Sequence, residues 1–316
     1  MKMRYFSSFT GAGGFDLAVP SGWECVGFSE IDKYASMVLK YRFPDVKNYG
    51  DINAIKWNEI PNFEVLCGGT PCQDLSLAGK RKGLTGERSR LFYKFVEALK
   101  AKKPKYFIWE NVKGALSSNS GWDFAEVLNQ FSEAGYNLWW QVLNAKYFSV
   151  PQNRERIFIV GFRDGSPPEV FFEPSSLAEN NELQGQPTAN TLRARYSQNL
   201  SEGSYIIEGK QQAQEAKLTY RHTFEKFKGY EGISPTIKSS EGSGNQIIVN
   251  NIRRLMPKEC ERLMSWPDDW TRWGIDEKGK KVEISDTQRY KMAGNGVVSN
   301  VVEWLIENVI LEDNNA

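Results

Sequence analysis

The chain has 316 residues, 40% hydrophobic and 25% charged, with a net charge of +1. That length supports one large core plus a smaller domain, and the lack of any run of about 18 apolar residues argues against a membrane span. The near-neutral charge does not by itself announce nucleic acid, and the scattered Cys25, Cys67, Cys72 and Cys260 with a lone His222 offer no metal-ligand spacing, so no metal and a reducing, cytosolic setting are expected.

In chain order, residues 3–9 (MRYFSSF) read as a strand with no signal-peptide pattern before it. They run into Thr10-Gly11-Ala12-Gly13-Gly14, a turn that opens a helix. A second strand, ECVGFSE, ends at Glu30, and a helix follows from about Asp32 to Tyr41, with Tyr34, Val38 and Tyr41 at helical spacing. Asp51, after Gly50, stands at a plausible third strand end. The apolar run FEVLC reads as a buried strand that stops at Gly68-Gly69. A helix with Leu91, Phe92, Phe95, Val96 and Leu99 on one face precedes strand KYFIWEN. A helix around 122–134, strand NLWWQVLN and strand RIFIVGF follow. Strands alternating with helices predict a wound, mostly parallel α/β sheet.

After Arg163 the composition shifts. Residues 164–250 are rich in Gly, Ser, Asn, Gln and Pro, with short apolar runs, which fits a second, irregular unit. Helical spacing resumes in RRLMPKECERLMSWP, and VVSNVVEWLIENVIL reads as an amphipathic helix that packs back on the N-terminal sheet. The expected division is a first domain at 1–163, a second at 164–270, and a return to the first at 271–316.

Charge is unevenly spread. Between Lys80 and Lys105 the chain carries Lys80, Arg81, Lys82, Arg88, Arg90, Lys94, Lys100, Lys102, Lys103 and Lys105, opposed only by Glu87 and Glu97. Lys80 to Arg90 suit phosphate contact, and Lys100 to Lys105 suit a solvated helix face. The Gly-rich turn lets backbone approach a ligand and starts a helix whose N–H groups point at it. Glu30 lies near the usual offset of about 20 residues for an acid that binds ribose hydroxyls. This set suits an adenosine cofactor or a dinucleotide, and the turn alone does not choose between them.

Three polar clusters sit at strand ends: Pro71-Cys72-Gln73, Glu110-Asn111-Val112, and Gln152-Asn153-Arg154-Glu155-Arg156. A Cys straight after a strand and a rigid Pro lies at the open end of a sheet, where α/β enzymes do their chemistry. In this order and spacing, with RRLMPKECERLMSWPDDW and AGNGVVSN, the clusters resemble the DNA (cytosine-5)-methyltransferase family across residues 3–163 and 252–310. The resemblance implies a Rossmann-like methyltransferase sheet with helices on both faces and a smaller irregular target-recognition domain. It implies S-adenosylmethionine bound by the Phe9, Gly11, Gly13 turn, with Glu30 on the ribose and Asp51 near the adenine amino group. Ile31 and Ile52 would flank the adenine ring, and Leu91 and Asn295 match further cofactor positions.

The implied reaction gives each catalytic residue a task. The Cys72 thiolate adds to cytosine carbon 6, making carbon 5 nucleophilic, and Gln73 stands beside it. Arg154 and helix-terminus N–H groups would lower the thiol pKa. Glu110, protonated or sharing a proton, would bond ring nitrogen 3 and the exocyclic amine. Arg156 would hold the exocyclic oxygen, and Asn111 would fix the loop behind Glu110. The base must leave the duplex. The Gly-rich loop after Cys72 would close on it, mobile without DNA and ordered with it, with Ser76, Lys80 and Arg81 on phosphates.

The implied partner is double-stranded DNA, met by a monomer in the cytoplasm of a bacterium or phage-infected cell. Thr191-Leu192 and Thr236-Ile237 are both candidates for the Thr-aliphatic step near DNA. Arg193, Arg195, Tyr196, Arg221, His222 and Lys238 could meet bases or phosphates or be ordinary surface residues. Two other readings stay open: a tRNA cytosine-5 methyltransferase of the same fold, and a catalytically silent DNA-binding regulator, against which intact Cys72, Glu110, Arg154 and Arg156 argue. A nucleotide-dependent oxidoreductase would rest on the Gly-rich turn and leave Cys72 and Glu110 unexplained.

Overall fold

Alternation along a single strand explains the layering. In Tyr106–Val112, Tyr106 and Ile108 join one buried apolar cluster, while Phe107 and Trp109 join another. Successive side chains of a strand point to opposite faces, so this strand is covered on both. The computed structural model describes residues 2–71, 90–165, 167–168, 189–190, 205–207 and 252–311.

The main sheet uses β1 (Arg4–Ser8), β2 (Glu24–Ser29), β3 (Val65–Gly68), β4 (Tyr106–Val112), β5 (Asn137–Asn144) and β7 (Glu155–Phe162). Its order is β2-β1-β3-β4-β7-β5. The first four strands are parallel, and β7 runs antiparallel to both of its neighbours. The expected parallel-rich wound sheet is therefore present, with β7 as its reversed strand. Short pairs complete the described strands: β6 (Gln152–Asn153) with β8 (Ala189–Asn190), β9 (Tyr205–Ile207) with β10 (Ile252–Arg254), and β11 (Trp273–Ile275) with β12 (Lys281–Glu283).

One face is covered by α3 (Arg90–Lys102) and α4 (Trp122–Glu133). Their apolar stripes, Phe92, Phe95, Val96 and Leu99 with Phe124, Val127 and Phe131, pack on Phe6, Leu66, Phe107 and Ile159. The opposite face receives α1 (Gly14–Ala18), α2 (Lys33–Arg42) and the C-terminal helices. Asp32 caps α2, accepting from the Tyr34 and Ala35 amides at 3.0 Å each, which explains why that helix starts where the sequence predicts. Helix α5 (Pro257–Leu263) begins with Pro at its first position, where a missing N–H costs nothing, and Glu259 accepts from the Met256 amide at 2.6 Å.

Two segments find their places only through tertiary and local contacts. Leu255, Cys260, Leu263, Met264, Trp266 and Trp270 share the core that holds Met3, Phe15 and Ile108. Several apolar side chains at the C-terminal end of the expected 164–270 unit are thus buried against the main sheet. Asp51 does not end a strand; it caps the short turn Ile52–Ala54 and accepts from Asn53 at 2.9 and 2.8 Å. The last amphipathic segment does pack back on the sheet as α7 (Ser299–Leu305) and a wider turn, Ile306–Ile310, burying Val301, Val302, Leu305, Val309 and Ile310.

A carboxyl is embedded in this core. Asp16 on α1 is buried and accepts from the Ser7 hydroxyl at 3.3 Å. Burial pushes its pKa from 3.8 up to about 7, against hydrogen bonds from Tyr5 and Ser7 that favour the ionised form. Between those values the folded chain keeps a proton that the unfolded chain has lost, so Asp16's contribution fades as pH rises from about 4 to about 7. Asp16→Asn should flatten this dependence. Chemical denaturation at pH 5 and pH 8 checks it: equal slopes for parent and variant would contradict the assignment.

Candidate active site

Five chain segments meet at one edge of the sheet. β1 to β4 are parallel, so their C-terminal ends lie together, and the reversed β7 brings its N-terminal end to the same edge. The order β2-β1-β3 makes the gap between β1 and β3 a topological switch point, the place where wound α/β sheets open a crevice.

On one side of that crevice lies the turn after β1. Phe9, Gly11 and Gly13 have φ of 51°, 59° and 90°, so the chain coils through left-handed conformations that glycine adopts without strain. Glu30 faces the turn. Its carboxylate accepts from the Gly11 amide at 2.7 Å and the Asp32 amide at 2.6 Å, and burial raises its pKa against those bonds. A carboxylate has about four acceptor sites, so two amides leave capacity for ligand hydroxyls. Asn48 fixes the crevice wall by accepting from the Glu30 and Gly50 amides at 3.1 and 3.0 Å.

The two isoleucines expected to flank an adenine ring differ. Ile31 is 74% exposed, an open apolar surface at the strand end, whereas Ile52 is 3% exposed and belongs to the second core cluster. Asp51 is exposed beside it, Leu91 is half-buried against the same cluster, and Asn295 is exposed at the end of α6 (Asp286–Asn295).

The other side of the crevice is built around Gly69. A Cβ there would lie 2.7 Å from Glu110 Oε2, so glycine leaves the space that the carboxylate fills. Glu110 Oε1 pairs with Arg156 Nε at 3.0 Å, with both side chains 16% exposed. Thr70, the next residue of the β3 exit, is anchored twice: Trp109 donates to its hydroxyl at 3.1 Å, and the Asn111 amide group reaches its carbonyl and hydroxyl at 3.5 Å. Asn111, expected to fix the loop behind Glu110, accepts from the Val112 amide at 2.8 Å and also secures the segment that leads to Cys72.

Arg154, expected to lower the pKa of the Cys72 thiol, a residue outside the described ones, sits among carbonyls of the C-terminal part of the chain. It is buried, and its guanidinium donates to the Gly294 carbonyl at 3.4 and 3.3 Å and the Gly296 carbonyl at 2.6 Å. Burial and the neighbouring Arg156 bring its pKa down to about 9, and Glu110 acts the other way. Gln152, in the same motif, donates to the Leu263 carbonyl at 2.6 Å. Of this motif's polar residues, Arg156 is the one paired with Glu110.

Thr70, Trp109 and Asn48 are not singled out as site residues by the sequence reading, and Gln152 enters it only as a member of its cluster. Thr70 could have been, standing directly before Pro71-Cys72; Trp109 lies in an apolar run that carries no polar signal. Cys72, Gln73, Ser76, Lys80, Arg81, Thr191, Arg193, Arg195, Tyr196, Arg221, His222, Thr236 and Lys238 lie outside the described residues, as does the loop after Cys72. The other cysteines are poor nucleophile candidates: burial, then the nearby Asp16, pushes the Cys25 and Cys67 thiols well up, and Cys260 is buried. Among the described residues no His/Cys/Asp/Glu group could hold a metal ion, and no helix is long and apolar enough to cross a membrane.

With this geometry in place, likeness to known proteins becomes informative. The family model described as C-5 cytosine-specific DNA methylase matches residues 3–311. The chain is 31% identical to "Type II methyltransferase M.HhaI" of Haemophilus parahaemolyticus, covering 97% of this chain and 94% of that one. It is 45% identical to "Orphan methyltransferase M.SPRI" of Bacillus phage SPR over 52% of this chain, but spans only 38% of that relative's length. In fold it is similar to the Entamoeba histolytica methyltransferase EhMeth, with a TM-score of 0.68 at 16% identity, covering 100% and 99% of the two chains.

Gly69→Ala should displace the Glu110 carboxylate, the tip of a flexible side chain, at little cost to folding. Turnover should fall on the order of 100-fold, as small misplacements of catalytic groups do. Steady-state kinetics beside a thermal melt checks this; parental turnover would contradict the packing relation.

Proposed function

This chain belongs to the C-5 cytosine-specific DNA methylase family, and from that premise we propose how its own residues methylate carbon 5 of a cytosine in duplex DNA. The reading is supported most directly by the Glu110–Arg156 pair seated against Gly69, three residues before Cys72 and next to the Gly-rich turn.

The crevice at the switch point fits S-adenosylmethionine. The Phe9–Gly13 turn offers backbone at close range, Ile31 offers open apolar surface for an adenine ring, and Glu30 offers spare acceptors for ribose hydroxyls. Asp51, exposed at the neighbouring turn, would take the adenine amino group, with Leu91 and Asn295 at the margins. When bound, this cofactor supplies an electrophilic methyl group.

The remaining work falls to side chains. Cytosine carbon 5 is a weak nucleophile, so Cys72 adds its thiolate to carbon 6, forming a sulfur–carbon bond. Glu110 holds ring nitrogen 3 and the exocyclic amine, so the electron pair displaced by that addition is directed to carbon 5. Arg156, fixed by Glu110 at 3.0 Å, stabilises charge on the exocyclic oxygen. Asn111 and Trp109 hold Thr70, and through it the start of the Cys72 segment. After carbon 5 accepts the methyl group it gives up its proton to water, the freed electron pair re-forms the carbon 5–carbon 6 double bond, and the sulfur–carbon bond breaks to regenerate the thiolate.

A stacked base cannot present carbon 6 to a thiol, so the cytosine swings out at a cost of about a few kcal/mol, which phosphate contacts help to offset. Ser76, Lys80 and Arg81 supply such contacts, and residues between 164 and 251, with Thr191, Arg193, Arg195 and Thr236, read the target sequence.

Cys72→Ser should lower turnover by at least about 1,000-fold, because a serine hydroxyl is not ionised at neutral pH, while binding of S-adenosylmethionine and of DNA persists. Methyl transfer from labelled cofactor, with calorimetry for binding, checks this. Substantial turnover by the variant would refute the nucleophile assignment.

A further inference from the structure

Two buried side chains from the last quarter of the chain hold the cofactor turn from behind. The Trp270 indole N–H donates to the Ala12 carbonyl at 2.7 Å, and the Ser299 hydroxyl donates to the Gly14 carbonyl at 2.7 Å. Trp270 and Ser299 are 9% and 4% exposed, so both bonds lie out of competition with water. Neither side chain belongs to the turn's own strand or helix; they reach it from 258 and 285 residues away.

Each donor is itself fixed. Arg42 lies over the Trp270 ring, 4.4 Å from its centroid, and donates to the Trp270 carbonyl at 2.9 Å and the Asp269 carbonyl at 2.8 Å. Arg289 donates to Asp269 Oδ1 at 2.9 Å and to the buried Glu261 at 3.0 and 3.1 Å. The Ser299 amide donates to the Met264 carbonyl at 3.0 Å. The turn has no slack on this side: a Cβ at Gly14 would meet Val297 at 3.0 Å and Trp266 at 3.2 Å.

We propose that Trp270 and Ser299 are positioning residues that clamp the carbonyls of Ala12 and Gly14, ordering the Gly11–Gly13 turn before the cofactor arrives. The physical reason is conformational. Gly11 and Gly13 give the turn its left-handed path but lose more freedom on ordering than other residues. A carbonyl pinned on one side fixes the plane of its peptide, and with it the direction of the following N–H. With the clamp, that ordering is complete in the folded protein; without it, cofactor binding must supply the ordering and weakens. The inference rests on the turn's being the S-adenosylmethionine site.

The test uses the full chain. Trp270→Phe keeps an aromatic ring and removes the donor; Ser299→Ala removes one oxygen. Each variant should raise the S-adenosylmethionine Kd, read by calorimetry, about threefold to tenfold, the range of one hydrogen bond. KM for the cofactor should rise in step, with kcat and KM for DNA near parental. A merely structural role would lower the melting temperature without this split. A cofactor Kd within twofold of parental in folded variants overturns the clamp. Should Trp270→Phe fail to fold, Ser299→Ala decides alone. Absence of cofactor binding by the parent chain would overturn the site assignment and the clamp with it, whereas parental binding with unmoved variants overturns only the clamp.

Discussion

The chain has no room for a side chain where β3 leaves the sheet. A Cβ at Gly68 would collide with the Ser8 hydroxyl and carbonyl, and one at Gly69 with the Glu110 carboxylate. These two glycines let three neighbouring strands approach at their working ends, so the turn after β1, the exit of β3 and the end of β4 share one crevice. Any larger residue would push apart groups that the proposed chemistry needs within a few ångströms of one substrate. The switch point makes the crevice, and the missing side chains make it narrow enough to use.

Much of the polar investment outside the crevice serves to hold it still. Arg154 is a buried cation, which is costly unless its N–H groups find acceptors, and the carbonyls of Gly294 and Gly296 accept from its two terminal nitrogens. Gln152 reaches the Leu263 carbonyl from the same short segment. The segment carrying Arg156 is thus tied to the C-terminal part of the chain, and that part in turn touches the cofactor turn through Trp270 and Ser299. The apolar side chains of 255–270 and 297–310 make this possible by burying themselves on the face of the sheet that carries α1.

Much of this was legible in the sequence because it is locally determined. Two-residue alternation gives β4, helical spacing gives α3 and α4, and Asp32 before a helical stretch gives the start of α2. The polar clusters at strand ends led to Glu110 and Arg156, which the fold brings to 3.0 Å. What the sequence could not reveal depends on distant partners. Arg154 finds its acceptors 140 and 142 residues away, so its motif reads like a set of equivalent arginines. Ile52 matches an adenine-flanking position in pattern yet is buried among Phe6 and Trp57. Leu255 to Trp270 have the spacing of an ordinary helix and turn, and their burial against the main sheet depends on distant partners.

The attacking atom remains the point on which the chemical account turns. Among the described cysteines, Cys25 and Cys67 have thiols that burial disfavours as thiolates, and Cys260 is enclosed. The proposed nucleophile, Cys72, follows in sequence the segment that Thr70, Trp109 and Asn111 secure. The most direct measurement is mass spectrometry of the protein after reaction with duplex DNA bearing 5-fluorocytosine at a methylated site, where fluorine cannot leave as the carbon 5 proton does. The account predicts a stable covalent adduct mapped to the peptide containing Cys72. An adduct on another residue, or none on a site the enzyme demonstrably methylates, would contradict it.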